Sequence, residues 1–174
     1  MNLKDKQATL RKHVNDIIDT LELKKTDSLI DTPNRVAKML VDELFIGLDD
    51  SNFPSYKMFD IEDGYNEPII VDNISIFSIC EHHFLPFFGK AKFSYVPNKK
   101  VIGLSKIPRI IDFLARKPQL QERLTLEIFQ TFKKILNTED ISIELQCEHL
   151  CAKIRGIKDD CCMNTIKRGG VFLK

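Results

Sequence analysis

Apolar residues recur at helical spacing near the start of the chain. Leu10, Val14, Ile17, Ile18 and Leu21 stand between polar neighbours and predict an amphipathic helix. A second helix is punctuated at both ends. Thr32 is a good N-cap, and Pro33 suits the first helical position, where its missing N–H costs nothing. Val36, Met39, Leu40 and Leu44 then make one stripe, and Gly47 marks a stop. From 48 to 68 the residues Asp49, Asp50, Ser51, Asn52, Pro54, Gly64 and Pro68 break every period and predict a loop.

Residues 69–80, rich in Ile and Val, predict a strand. Its neighbour runs from Gly89 to Val96, where Ala91, Phe93 and Tyr95 alternate with Lys90, Lys92 and Ser94. A helix follows near Ser105–Arg116, with Ser105 as its cap and Pro108 tolerated in the first turn. Another covers roughly 119–136, with Leu120, Leu124, Ile128, Phe132 and Ile135 as its core stripe. Ile141, Ile143 and Leu145 alternate as a strand, and Gly169-Gly170-Val171-Phe172 predicts a short last one. The order of elements predicts an α+β fold whose antiparallel sheet carries helices on one face. With no internal repeat or linker, the chain reads as one domain over 1–174, helical over 1–50 and sheet-based over 69–174.

Composition narrows the function. The 174 residues carry 26 Lys and Arg against 25 Asp and Glu, a net charge of +1, which disfavours a polyanion such as nucleic acid as partner. No apolar run approaches the ~20 residues that span a bilayer. The start, Met1-Asn2-Leu3-Lys4-Asp5-Lys6, has no secretory apolar core. A cytoplasmic location follows as the expectation, and thiols there stay reduced. Five Cys, an odd number, then read as metal ligands, catalytic thiols or small buried residues before disulfides.

Two islands concentrate the chemistry: Cys80-Glu81-His82-His83 and Glu148-His149-Leu150-Cys151. Thiolate and imidazole together suit Zn²⁺, at about 2.3 Å for sulfur and about 2.0–2.1 Å for nitrogen. The spacing from Cys80 to His83 lets two side chains converge across a turn, and His149 and Cys151 share strand parity with Cys147. The plain alternative is that the cysteines are buried hydrophobes and the histidines satisfied polar residues. A closed structural site, with a fourth ligand from Cys147, Cys161 or Cys162, stands beside an open catalytic one. Taking Cys80, His83 and Cys151 as ligands leaves His82 and His149 to move protons near neutral pH, and leaves zinc a position for water. That arrangement suits hydrolysis at an electrophilic carbon.

A basic set accompanies the islands. Lys106 and Arg109 share a face at a helix start beside Ser105, and Arg35 and Arg155 can join them. Each can equally be solvated surface charge. Gln121-Glu122 opens another helix. Glu122 is a favourable first-turn acid, but a carboxylate also accepts two parallel N–H bonds from a guanine edge.

So assembled, the chain resembles the zinc-dependent GTP cyclohydrolase I family. The matching strings are Asp31-Thr32-Pro33-x-Arg35-Val36-Ala37-Lys38-Met39, Cys80-Glu81-His82-His83, Gly103-Leu104-Ser105-Lys106-x-x-Arg109, Gln119-x-Gln121-Glu122-Arg123-Leu124-Thr125 and His149-x-Cys151-x-x-x-Arg155-Gly156. They follow the family's order over about residues 30–172. The resemblance implies a tunnelling fold whose subunits close a barrel, and a homodecamer of two stacked pentamers with sites between subunits. It implies conversion of GTP and water to 7,8-dihydroneopterin triphosphate and formate, the first step towards folate and related pterins. By the same resemblance Cys80, His83 and Cys151 hold the zinc, and His82 and His149 transfer protons. Gln121 and Glu122 hold the guanine region. Lys106, Arg109, Arg155 and Arg35 face the triphosphate, with Ser105 near the ribose.

Two stretches depart from the family's pattern. Gln146-Cys147-Glu148 stands where an acidic-then-small pair is common, and Asp160-Cys161-Cys162-Met163-Asn164 where small and hydroxyl residues are usual. The pocket nearby is expected to differ in detail. The short start predicts no regulation through a long N-terminal tail. Three rivals have distinct signatures. A nitrile reductase of the same fold needs a Cys nucleophile and a nicotinamide cofactor rather than the zinc set. A zinc-stabilised binding module unfolds on chelation. A relic that keeps the fold without activity is separated by assay.

Overall fold

The computed structural model describes residues 1–61 and 64–173, so the loop predicted over 48–68 lies outside the described residues at positions 62 and 63. Helix α1, Leu3–Thr20, starts at Asn2, whose side chain accepts the Asp5 N–H at 2.9 Å. It packs on α3, Thr32–Lys38, and Ile18 is its buried residue. Only part of its predicted stripe turns inward: Ile17 and Leu21 remain exposed. A short helix α2, Asp27–Ile30, precedes α3; four residues carry no readable period.

The cap of α3 is Asp31 rather than Thr32, and Pro33 is buried in its first turn. After Lys38 the helix widens to a π-turn over Met39–Leu44. Gly47 ends the run for a reason other than helix capping. A Cβ there would meet Phe113 O at 2.3 Å, and the Gly47 N–H donates to Arg116 O at 2.8 Å. The glycine therefore docks the N-terminal helices onto the later part of the chain.

The loop region holds a strand that the sequence conceals, β1, Met58–Asp60, paired antiparallel with β4, Lys100–Ile102. The main sheet contains β2, Ile69–Cys80, β3, Pro86–Tyr95, β5, Pro118–Gln119, β6, Ile141–His149, and β7, Cys162–Arg168. Its order is β5-β2-β3-β6-β7. All pairs are antiparallel except β2 with β5, whose two residues run parallel and correct the expectation of a wholly antiparallel sheet. The last strand is another correction: β7 lies upstream of the predicted tail, and Gly170–Leu173 form a 3₁₀ turn.

One face of this sheet is the core. Phe87, Ala91, Phe93 and Tyr95 on β3 share it with Ile141, Ile143, Leu145 and Cys147 on β6. On β2 the inward parity changes at a bulge between Val71 and Ile74. Asn73 takes φ 60° there, with its N–H on the Asp72 carboxylate at 2.6 Å. Ile69 and Val71 therefore pack inward before the bulge, and Ile74, Ile76, Ser78 and Cys80 after it. Helices α4, Lys106–Ala115, and α5, Gln121–Leu136, cover this face with fully buried Ile110, Ile111, Leu124, Ile128 and Phe132. The other face stays open, with Ile70 and Phe77 among its exposed residues. No helix among the described residues is long and apolar enough to cross a membrane. The architecture is mixed α+β, with both long C-terminal helices on one side of the sheet.

Candidate active site

Strand β2 ends at Cys80, and β6 ends at His149. The next turn is helical, α6, Leu150–Lys153, and it carries Cys151. Cys151 therefore reaches the site from a turn, and the expected strand parity with His149 does not operate. The two sulfurs lie 3.9 Å apart. A ligand atom of His149 joins them, all three within 4.8 Å of one another. Two thiolates on tetrahedral zinc, with bonds of about 2.3 Å, sit about 3.8 Å apart, so the pair fits that ion. Burial and the adjacent Cys80 thiol push the Cys151 thiol up, a strain that a cation relieves.

The first island forms the β2–β3 turn. Cys80 N donates to Leu85 O, and Phe84 N to Cys80 O, each at 2.9 Å, with Phe84 at φ 52°. His82 is exposed, with Nδ1 3.8 Å from the Cys80 sulfur. His83 is exposed and accepts from the Arg155 guanidinium at 2.8 Å. Of the histidines, the structure thus brings His149 within ligand distance of both sulfurs, while His83 stands with Arg155.

His149 is held from two sides. Its ring stacks on Phe87, its partner across the β3–β6 ladder, at 4.6 Å and 8°. Its Nε2 lies 2.9 Å from Gln121 Oε1. Gln121 is 1% exposed, and its amide nitrogen faces Leu145 O at 3.2 Å, Met163 O at 2.9 Å and Thr165 Oγ1 at 3.0 Å. Two of these are carbonyls that only accept, so the amide NH₂ must face them and Oε1 must face the imidazole. Nε2 of His149 therefore carries a hydrogen. Burial lowers the His149 pKa, and the charge of Glu122 partly opposes this. Glu122 itself opens α5 on its exposed side.

The basic residues divide between two places. Arg155 is beside His83. Ser105 and Arg109 line a cleft of about 850 Å³ with Val71, Asp72, Asn73 and Arg116. Lys106 opens the same helix, α4. The other end of α4 lies near the thiols, since Ser78 Oγ donates to Ala115 O at 2.7 Å. Ten residues of helix separate the two ends, about 15 Å at 1.5 Å per residue. Arg35 is turned to its own neighbourhood, donating to Ser28 O, to Thr32 Oγ1 at 3.1 Å and to Asp31 at 3.5 Å.

Of the remaining cysteines, Cys147 is buried beneath the sheet and pushed up to about 12, chiefly by burial, while Cys161 and Cys162 are exposed. Among the described residues, Cys80, His149 and Cys151 are the group placed to hold a metal. The stacking role of Phe87 was not readable from the sequence, because the predicted strand starts at Gly89 and leaves Phe87 outside it. The polar duties of Gln119 and Arg123 were equally hidden, although both lie inside a family string.

The GTP cyclohydrolase I family model matches residues 10–174. The chain is 45% identical to GTP cyclohydrolase 1 of Blochmanniella pennsylvanica, over 99% of this chain and 79% of that protein. It is 46% identical to GTP cyclohydrolase 1 of Wigglesworthia glossinidia brevipalpis, over 94% and 76%. With GTP cyclohydrolase 1 of Aeromonas salmonicida the identity is 44%, over 99% and 80%. Among solved structures, the archaeosine synthase QueF-Like in its apo form aligns at TM-score 0.45 and 14% identity, covering 60% of this chain and 95% of that one, a likeness too slight to carry an argument.

Proposed function

The chain belongs to the GTP cyclohydrolase I family, and from that premise we propose that it converts GTP and water to 7,8-dihydroneopterin triphosphate and formate with one zinc ion per chain. The observation that carries the reading is the thiol pair at 3.9 Å with an imidazole beside it. Two imidazoles compete for the third ligand position. The family resemblance assigns it to His83, which sits on an exposed turn and whose side-chain hydrogen bond among the described residues is the one to Arg155. The short distances favour His149 as a second reading. Metal content of His83→Ala and His149→Ala decides between them, since the ligand's loss releases zinc and the other's does not.

With Cys80, His83 and Cys151 as ligands, bound zinc supplies a Lewis acid that makes water a nucleophile at neutral pH. The chain's own residues do the rest. Burial keeps His149 neutral near pH 7, and Gln121 fixes its ring with Nε2 as donor. Nδ1 is then the nitrogen that takes or returns a proton during ring opening and the later ribose rearrangement. His82, exposed beside Cys80, is the second proton carrier. Glu122 presents its carboxylate to the guanine edge from the same turn in which Gln121 positions His149. Arg155, Lys106, Arg109 and Arg35 face the triphosphate, with Ser105 near the ribose.

The 15 Å division between the two ends of α4 supports a site completed by a neighbouring chain. In one chain the thiols lie by the C-terminal end of that helix, whereas Ser105 and Lys106 stand at its start, at the far end of a cleft that runs on to Arg116. The sheet also ends in the unpaired edge of β7, and β5 covers only the last two residues of β2. Closing a barrel of subunits pairs such edges, which is the tunnelling-fold homodecamer of two pentamers. The 174 residues act as one domain, 1–50 supporting the sheet part over 69–174. Five free cysteines fit the reducing cytoplasm. Incubation of purified protein with GTP, following formate and a pterin that fluoresces after oxidation, tests the reading; no formate above a Cys151→Ala control refutes it.

A further inference from the structure

The turn that carries the first island is held by more than its own hairpin bonds. Glu81 N donates to Gln119 O at 3.1 Å, and the Glu81 carboxylate meets the Arg123 guanidinium. Arg123 is itself fixed. Its Nε donates to Gln119 Oε1 at 2.8 Å, and its Nη2 to Pro118 O at 3.2 Å. Gln119 is fully buried, and its amide nitrogen donates to Leu114 O at 3.1 Å and to Glu127 at 2.9 Å. That orientation leaves Oε1 facing only Arg123. A relay of hydrogen bonds thus runs from the end of α4 through β5 and the first turn of α5 to the residue between Cys80 and His82.

The geometry points to Arg123 as a positioning residue for the metal centre: through Glu81 it sets the pitch of the Cys80–His83 turn so that its ligands meet Cys151. The inference rests on the metal reading proposed above. The pair adds little stability, because its side chains are 41% and 34% exposed, and ion pairs at such positions contribute little. What a guanidinium supplies here, and an ammonium does not, is a planar fork that reaches the turn and β5 together. The first turn of α5 then orders both islands, Gln121 holding His149 of the second and Arg123 holding Glu81 of the first.

Zinc affinity measured by competition with a chromophoric chelator, alongside urea unfolding and circular dichroism, tests this. Arg123→Met is expected to bind zinc roughly 10- to 100-fold more weakly, the range for residues that orient metal ligands, with its unfolding midpoint near the parent's. Arg123→Lys should fall between the two. Glu81→Gln should lose a similar amount, and the double variant little more than either single one, because both break one contact. Lys133→Met, which breaks the pair with Glu139 at 2.6 Å near the other end of α5 and touches no member of the relay, is the control. Zinc affinity of Arg123→Met within twofold of the parent overturns the inference. So does an equal loss in Lys133→Met, or a loss that only tracks the unfolding midpoint. A parent that takes up no zinc, or a Cys151→Ala variant that keeps it, overturns instead the metal reading beneath.

Discussion

Adjacent residues at the start of α5 should separate stability from binding. Gln121 is 1% exposed, and its side chain gives two hydrogens to an acceptor set of Leu145 O, Met163 O and Thr165 Oγ1 while accepting one from His149. Gln121→Met keeps nearly the same volume, so the loss is of hydrogen bonds rather than of packing. Three bonds at about 1 kcal/mol each give a destabilisation of about 3 kcal/mol. With a urea slope of about 2 kcal/mol per molar, the midpoint should fall by roughly 1.5 M. The measurement belongs on metal-free protein at fixed concentration, so that zinc binding and assembly do not enter. Glu122, one residue on, is exposed and makes no side-chain hydrogen bond or ion pair among the described residues. Glu122→Gln should hold its midpoint within about 0.5 kcal/mol of the parent. It should weaken GTP binding by about 2 kcal/mol, roughly thirtyfold, because an amide accepts on one side only. A Gln121→Met midpoint within experimental error of the parent's refutes the reasoning, as does an equal fall in both variants.

Cys151→Ala should lose its zinc and Cys161→Ala keep it, read by metal analysis; loss from both would indicate a closed structural site. Metal-free protein in air should acquire a bridge between Cys80 and Cys151, whose sulfurs already lie 3.9 Å apart, found by peptide mapping. Cys147, held near 12 by burial against a free-thiol value of 9.0, stays protonated in the fold while the unfolded chain ionises. Its contribution is intact below pH 9 and lost as pH rises from there towards 12, about 1.4 kcal/mol by pH 10. Cys147→Ala should therefore shrink the difference in unfolding midpoint between pH 8 and pH 10, and an unchanged difference would count against the burial argument. Mixing inactive Cys151→Ala with inactive Arg109→Ala should restore activity once subunits exchange, because hybrid assemblies contain sites with neither defect; exchange proven by mass spectrometry without activity would place the whole site in one chain.

The helical stripe of Leu124, Ile128 and Phe132, the alternation along 89–96 and 141–145, and the Ile/Val run of 69–80 are local periods, and each was legible, although β3 starts earlier, at Pro86. So were both Cys/His islands, because scarce residue types clustered in the chain. What escaped were features with no local period. The two- and three-residue strands Pro118–Gln119, Met58–Asp60 and Lys100–Ile102 exist through their partners, and the bulge at Asn73 changes parity within a run that reads as uniform. The end of β6 at His149 was hidden for a similar reason, since alternation cannot show where a helical turn takes over. The sequence by itself determined the family, the α+β class and the pool of candidate ligands and acids. Only the tertiary structure decided that Gln121 faces inward and Glu122 outward, that Phe87 and Gln121 grip His149, and that Arg123 reaches Glu81. Those are choices among hydrogen-bond partners 28 and 42 residues apart in the chain, and they are made by which buried polar groups need one another once the sheet and α5 have packed.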